Sequence, residues 1–276
     1  MHNPKAVRER AAATAIVRSA AVATAVAAIA FIAASEARAA DPDALWRVVH
    51  DLCVTDMKLT GAPAPCTAVD LTRGYAVLKD LRGPTQHLLV PTARISGIDS
   101  PRLLSPGSVN YWQAAWEARR FLEKPVGREM PREDIALAIN SRFARSQNQL
   151  HIHIDCVRAD VRQALQTNQR RIGGQWSRLN VPLAGHRYRA RRLMGADLGA
   201  RDPFKILATG DAKARADMGR ETLVVIGETF ADGRPGFVLL SDRADLARFD
   251  VAAGEELMDH KCAVLDEPRN DTPQPG

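Results

Sequence analysis

Gln149-Leu150-His151-Ile152-His153-Ile154-Asp155-Cys156, reached through the polar run Asn140-Ser-Arg-Phe-Ala-Arg-Ser-Gln-Asn148, alternates strictly between polar and apolar residues. That is the period of a half-buried β-strand. Gln149, His151, His153 and Asp155 share one face, and Leu150, Ile152, Ile154 and Cys156 the other. The apolar face demands a core beneath it. With a rise of roughly 3.3 Å per residue, the two imidazoles stand about 7 Å apart on a rigid support. Such a strand reads in three ways: a solvated sheet face, a metal site built on His-x-His-x-Asp, or an imidazole nucleophile attacking phosphorus.

Outward from this strand the chain reads as an α+β unit. Towards the N-terminus, 135–139 is a strand, and a helix runs from a Ser105-Pro106 start to about Lys124. Residues 74–80 and 86–90 form an antiparallel hairpin around Leu81-Arg-Gly-Pro84, and 42–54 is a short amphipathic helix. Towards the C-terminus, a helix spans 160–172. Arg187, Arg189 and Arg191 alternate along a strand and read as a solvated face. Residues 222–226 and 236–240 make a second hairpin, and 254–260 reads as a helix. The organisation is a catalytic half at 42–157 and a second α+β half at 158–264, whose similar strand and helix lengths are compatible with a degenerate copy. The tail 267–276 (EPRNDTPQPG) has the composition of disorder.

Residues 1–39 look like a leader. Lys5, Arg8, Arg10 and Arg18 precede the uncharged, Ala-rich stretch 19–35, and Ala37-Arg38-Ala39 has the small-x-small form of a cleavage site. The stretch is equally compatible with a retained inner-membrane anchor, and both readings put the globular part in the periplasm. The formal charge of the 276 residues is +6. Five Lys/Arg against two Asp/Glu give the leader +3 of that, and the remaining +3 is too little to argue for nucleic acid on charge alone, so no nucleic-acid partner is expected.

Four cysteines in an exported chain read as two disulfides. Three pairings are open. Cys53 and Cys66 flank a short Pro-rich loop, the cheapest to close, which leaves Cys156 with Cys262. No CxxC pair supports structural zinc. His50, His87, His186 and His260 are scattered, so no second pair backs a metal at His151 and His153.

Gln149-Leu-His151-Ile-His153-Ile resembles the histidine-triad motif, His-φ-His-φ-His-φ-φ, of nucleotide hydrolases and transferases. Lys79-Asp80, Pro84 and Gln86-His-Leu-Leu-Val-Pro91 resemble the strand pair of that superfamily. Asn140 with Ser146-Gln147 resembles its approach to the triad. The ordered set GYAVLKDL (74–81), LLVP (88–91), AINSR (138–142) and QNQLHIHIDC (147–156) is most similar to the CDP-diacylglycerol pyrophosphatase family, from about 45 to 262. The resemblance implies a histidine-triad-like antiparallel sheet with flanking helices, made of two half-barrels from two chains or from one. It implies hydrolysis of CDP-diacylglycerol to CMP and phosphatidate at a membrane surface, with no cofactor and no metal in the chemical step. His151 would be the nucleophile and His153 a partner of the phosphate oxygens. Asn140, Ser146, Gln149 and Asp80 would contact phosphate or nucleoside. Gln149 departs from the motif, since an amide cannot take up a proton at working pH. Two other readings stay in play: a histidine-triad hydrolase of soluble nucleotides, and a periplasmic metal- or lipid-binding module.

Overall fold

The alternating stretch does form a strand, Ile152–Cys156, and the sheet around it is wider than the hairpins alone would suggest. The structure, a computed structural model, describes residues 41–266; the readings made for 1–39 and 267–276 fall outside the described residues. Nine strands form one antiparallel sheet: β1 (Ala68–Asp70), β2 (Tyr75–Lys79), β3 (His87–Pro91), β4 (Ile135–Ile139), β5 (Ile152–Cys156), β6 (Ser177–Arg178), β7 (Arg189–Met194), β8 (Glu221–Thr229) and β9 (Pro235–Arg243). Their spatial order is β1-β2-β3-β5-β4-β8-β9-β7-β6.

Leaving β1 aside, the order reads alike from both edges. Inward from one side it is β2-β3-β5-β4, and inward from the other β6-β7-β9-β8. At the centre β4 pairs with β8, Ala138 opposite Val224. Helices α2 (Tyr111–Ala118) and α3 (Arg120–Val126) lie between β3 and β4 in sequence. The corresponding place between β7 and β8 holds α5 (Pro203–Gly210) and α6 (Ala212–Ala216), while α4 (Ala159–Asn168) joins the halves.

One face of the sheet buries the main core. Trp112, Trp116 and Leu122 pack over Leu137, Ile152 and Ile154. Trp112 meets Phe204 of α5 at 5.2 Å between ring centroids, and Trp116 meets Phe237 of β9 edge-on at 4.9 Å. These aromatic contacts fasten the two halves together. On the opposite face, helix α1 (44–60, with a π-helical stretch at Val48–Cys53) sets Leu45, Val49 and Cys53 on Ala76, Leu88 and Val90. Leu88 is paired with His153, so α1 covers part of the histidine face. Both disulfides are those expected, Cys53–Cys66 and Cys156–Cys262.

Four expectations need correction. The histidine strand is not half-solvated: every residue of β5 is buried, because chain from the C-terminal region crosses its polar face. That crossing segment is not a helix. Only Gly254–Leu257 makes a 3-10 turn, and a Cβ on Gly254 would lie 2.4 Å from Thr222 Oγ1, so the chain is pressed flat against the sheet. The helix after Ser105-Pro106 begins later, where the Asn110 side chain accepts from the Trp112 and Gln113 amides. Finally, Arg189 does not lie on a solvated face; it pairs with Asp211 and with the fully buried Glu221.

Candidate active site

His151 and His153 leave the sheet on the same face, ring centroids 4.9 Å apart and edge-to-face, closer than backbone spacing requires because the rings lean together. Their hydrogen bonds fix opposite tautomers. His151 Nδ1 is 2.7 Å from the Gln149 carbonyl oxygen, which can only accept. Nδ1 therefore carries the proton, and Nε2 holds a lone pair. His153 Nδ1 is 2.7 Å from the Gln86 amide nitrogen. The same nitrogen lies 3.1 Å from Glu255 Oε1, so it is the donor to both. His153 thus accepts at Nδ1 and carries its proton on Nε2, a buried atom with no hydrogen-bond partner among the described residues. One imidazole offers a nucleophile and its neighbour an N–H.

Burial lowers the pKa of His151, opposed by its bond to Gln149. Burial and the adjacent His151 push His153 down to about 3. Both rings are therefore neutral at physiological pH. Burial works against a charge on Glu255, but His153, the Gln86 and Asn140 amides and Arg82 outweigh it and hold the carboxyl well below its usual range.

Glu255 arrives on the crossing strap 252–258. Asn140, at the end of β4, fixes it twice: its Oδ1 accepts the Glu255 amide at 3.1 Å, and its Nδ2 lies 3.3 Å from Oε2. Arg82 pairs with Oε1 at 2.9 Å. Behind the pair, Asp155 accepts from Thr85 Oγ1 at 2.6 Å and binds His260 Nδ1 at 2.7 Å. That bond raises the pKa of His260, whose Nε2 is 3.5 Å from Glu255 Oε1. The Cys156–Cys262 disulfide holds the strap's far end beside Asp155. The turn from Asp80 to Gln86 approaches so closely that a Cβ on Gly83 would lie 2.3 Å from the His260 carbonyl oxygen.

The expected residues are not all assembled alike. His151, His153 and Asn140 come together. Asp80 closes the turn that delivers Gln86, its amide donating to the Gln86 carbonyl at 3.0 Å. Ser146 is exposed in the approach loop. Gln149 is fully buried and committed to backbone: Nε2 donates to the Pro91 and Ala93 carbonyls at 2.9 Å each, and Oε1 accepts from Ile95 N at 3.3 Å. In this structure it clamps the chain after β3 to the start of β5.

Gln86, Glu255 and His260 are the site residues that sequence reasoning missed. Gln86 lies within the recognised 86–91 stretch, and its place next to the turn was the available signal. Glu255 and His260 come from a segment a hundred residues away and carry no local signal. Across the strap, Glu256 turns the other way, accepting from Tyr188 Oη at 2.6 Å and lying 2.9 Å from His186 Nδ1. A cavity of about 410 Å³ lined by Asp70, Arg73, Tyr75 and Glu117 lies at the β1 edge and includes neither site histidine.

Comparison with known proteins places the chain in a family. The family model described as CDP-diacylglycerol pyrophosphatase matches residues 40–266. A CDP-diacylglycerol pyrophosphatase of Yersinia pestis is 42% identical over 228 residues, covering 83% of this chain and 87% of the relative. The match takes in the hairpin, the histidine strand and the strap, and on that span the chain belongs to the CDP-diacylglycerol pyrophosphatase family.

Proposed function

We propose that this protein hydrolyses CDP-diacylglycerol to CMP and phosphatidate through a cytidylyl-histidine intermediate on His151. The observation that carries this reading is the pair of opposite tautomers. His151 Nε2 attacks the cytidine-bearing phosphorus, the bridging P–O bond breaks, and phosphatidate departs with the bond's electrons. The imidazolium so formed keeps its Nδ1 proton on the Gln149 carbonyl, which stabilises the developing positive charge. His153 Nε2–H, buried on the neighbouring ring and without a partner among the described residues, donates to the oxygens that gain charge. Water then attacks the same phosphorus, releases CMP and restores neutral His151.

Phosphatidate is a phosphate monoester whose second pKa is about 6, so it leaves with little protonation. This explains why an amide suffices at position 149. Gln149 positions the strand, and Glu255 with Gln86 holds His153 in its donor tautomer. The order of the sheet, read alike from both edges, supports a histidine-triad-like half that is followed by a degenerate copy in the same chain. The second half then occupies the place a second subunit would otherwise fill. The pairing of all four cysteines supports an oxidising compartment, hence a periplasmic globular part behind the leader.

The test is a rapid acid-free quench with substrate labelled in the cytidine moiety. A protein-bound label, stable in alkali and lost in mild acid, is expected in wild type and absent from His151→Ala. CMP release at wild-type rate from that variant would overturn the mechanism.

A further inference from the structure

Between β9 and the strap the chain makes a closed projection. Asp245 and Asp250 face each other through two backbone bonds, Asp245 N to Asp250 O at 2.9 Å and the reverse at 3.1 Å. The four residues between them, Leu246-Ala-Arg-Phe249, form a short tip. Phe249 is 94% exposed and Leu246 46%. Arg248 beside them is largely in solvent and lies 3.5 Å from the Asp245 carboxylate. Phe249 sits in the left-handed region, φ 58°, where a bulky side chain is disfavoured and Gly or Asn would close the turn more readily. An aromatic ring kept at that position and left in water has no role in the protein's own packing.

The tip is joined to the reactive end of the sheet. Ser141, next to Asn140, donates from its amide to the Ala252 carbonyl and from its hydroxyl to the Val251 carbonyl. The loop from Ser141 to His151 also holds the start of the globular chain: Asn148 N donates to Pro42 O at 2.7 Å, and Leu45 N to Gln147 Oε1 at 2.8 Å. The described chain thus begins on the same loop that receives the tip.

We propose that Leu246 and Phe249 form a membrane-seating tip: they enter the bilayer that carries the diacyl substrate, with Arg248 among its anionic headgroups. This deepens the reading of the lipid substrate given above and rests on it. A rigid apolar tip bonded to the site loop would bring His151 to headgroup depth, where the diphosphate lies. Aromatic and aliphatic side chains beside a cation are the composition that partitions at an interface.

Two experiments on the full chain decide it. The double variant Leu246→Ser/Phe249→Asn keeps a residue tolerant of positive φ at 249. Its apparent KM for CDP-dioleoylglycerol in phosphatidylglycerol-containing vesicles should rise roughly tenfold. Its kcat/KM on monomeric, water-soluble CDP-dihexanoylglycerol should match wild type. Equal loss on both substrates, or on neither, overturns the proposal. Separately, Phe249→Trp should add indole emission, beyond that of the native tryptophans, that vesicles with brominated acyl chains quench; no added quenching overturns it too. If wild type releases CMP from neither substrate, the proposed function fails, and the quenching result still decides the tip.

Discussion

Strands β5 and β9 hold matching places in the sheet. Each lies between a hairpin strand and a central strand, β5 between β3 and β4 and β9 between β7 and β8. The backbone slots are alike, but the contents differ. In the row that runs across the sheet, His153 pairs with Ala138, Ala138 with Val224, and Val224 with Leu240. The position that carries an imidazole in one half carries a buried leucine in the other. The connections differ as well: residues 140–151 lead into β5, whereas 230–234 make a tight turn into β9. A short turn brings β8 and β9 together and leaves only packing; the longer loop carries Asn140 at one end and His151 at the other. Chemistry here depends on which residues and which loop a slot receives, not on the slot.

The largest effect that would break this contrast is on activity. His151→Ala should lower CMP release by at least about a thousandfold, the scale seen when a covalent nucleophile is removed. Leu240→Ala, in the other half, should cost about 2–5 kcal/mol of stability through its cavity while the folded fraction keeps its turnover. Steady-state rates normalised to folded protein separate the two. A comparable loss of kcat in Leu240→Ala would mean the second half participates in catalysis.

The disulfides extend the comparison. Cys156–Cys262 closes a separation of 106 residues and Cys53–Cys66 one of 13. The chain-entropy relation gives them about 5 and about 3 kcal/mol. Replacing both cysteines of a pair by serine should lower the urea midpoint in that order. Only the longer bridge holds the strap over the histidines, so its loss should also reduce kcat under native conditions. Equal effects on kcat from the two pairs would show that the strap does not depend on its bridge.

Much of this site was legible from the sequence, and the division has a physical cause. Strict alternation at 149–156 revealed the strand and the shared face of His151 and His153, because periodicity is local. Loop closure and the parity of the cysteines gave the bridges. The strap was misread because Gly254-Glu-Glu-Leu-Met-Asp-His260 has the composition of a helix. Contact with Thr222 and Val224 flattens it instead, and tertiary packing overrides propensity. With the strap went Glu255 and His260. Helix α5 was overlooked although Asp202-Pro203 carries a proper start: the Asp202 side chain caps Phe204 N and proline fills the first turn.

A smaller effect tests the strap itself, where adjacent residues serve different halves. Glu255 faces Gln86, Asn140 and His153; Glu256 faces Tyr188 and His186. Glu255→Gln keeps the shape but removes the charge that orients the Gln86 amide. It should lower kcat roughly ten- to a hundredfold, the range for positioning and general acid–base groups, with little change in KM. Glu256→Gln should leave kcat within about threefold and cost about 1–3 kcal/mol, the penalty for weakening buried hydrogen bonds. The opposite ranking would place the reactive centre on the Tyr188 side.

The smallest effect is a slope along the pH axis, and the two halves should contribute with opposite sign. His153 has a folded pKa pushed down to about 3 against an unfolded value near 6.5. Between those values the unfolded chain binds a proton that the folded chain refuses. Its contribution to stability is therefore complete above about pH 6.5 and falls as the pH drops, by about 1.4 kcal/mol per pH unit for one proton. His186 runs the other way: burial opposes its charge, but the Glu256 carboxylate outweighs burial and raises its pKa. That contribution is complete below about pH 6.5 and is lost as the pH rises through the raised value. Urea unfolding at a series of pH values should show a shallower acid-side loss in His153→Gln than in wild type, and in His186→Gln an unchanged acid-side slope with a flatter fall above about pH 6.5. An unchanged acid-side slope in His153→Gln would mean that His153 is not held neutral. The donor tautomer assigned to it would then lose its basis, because a protonated ring cannot accept from Gln86.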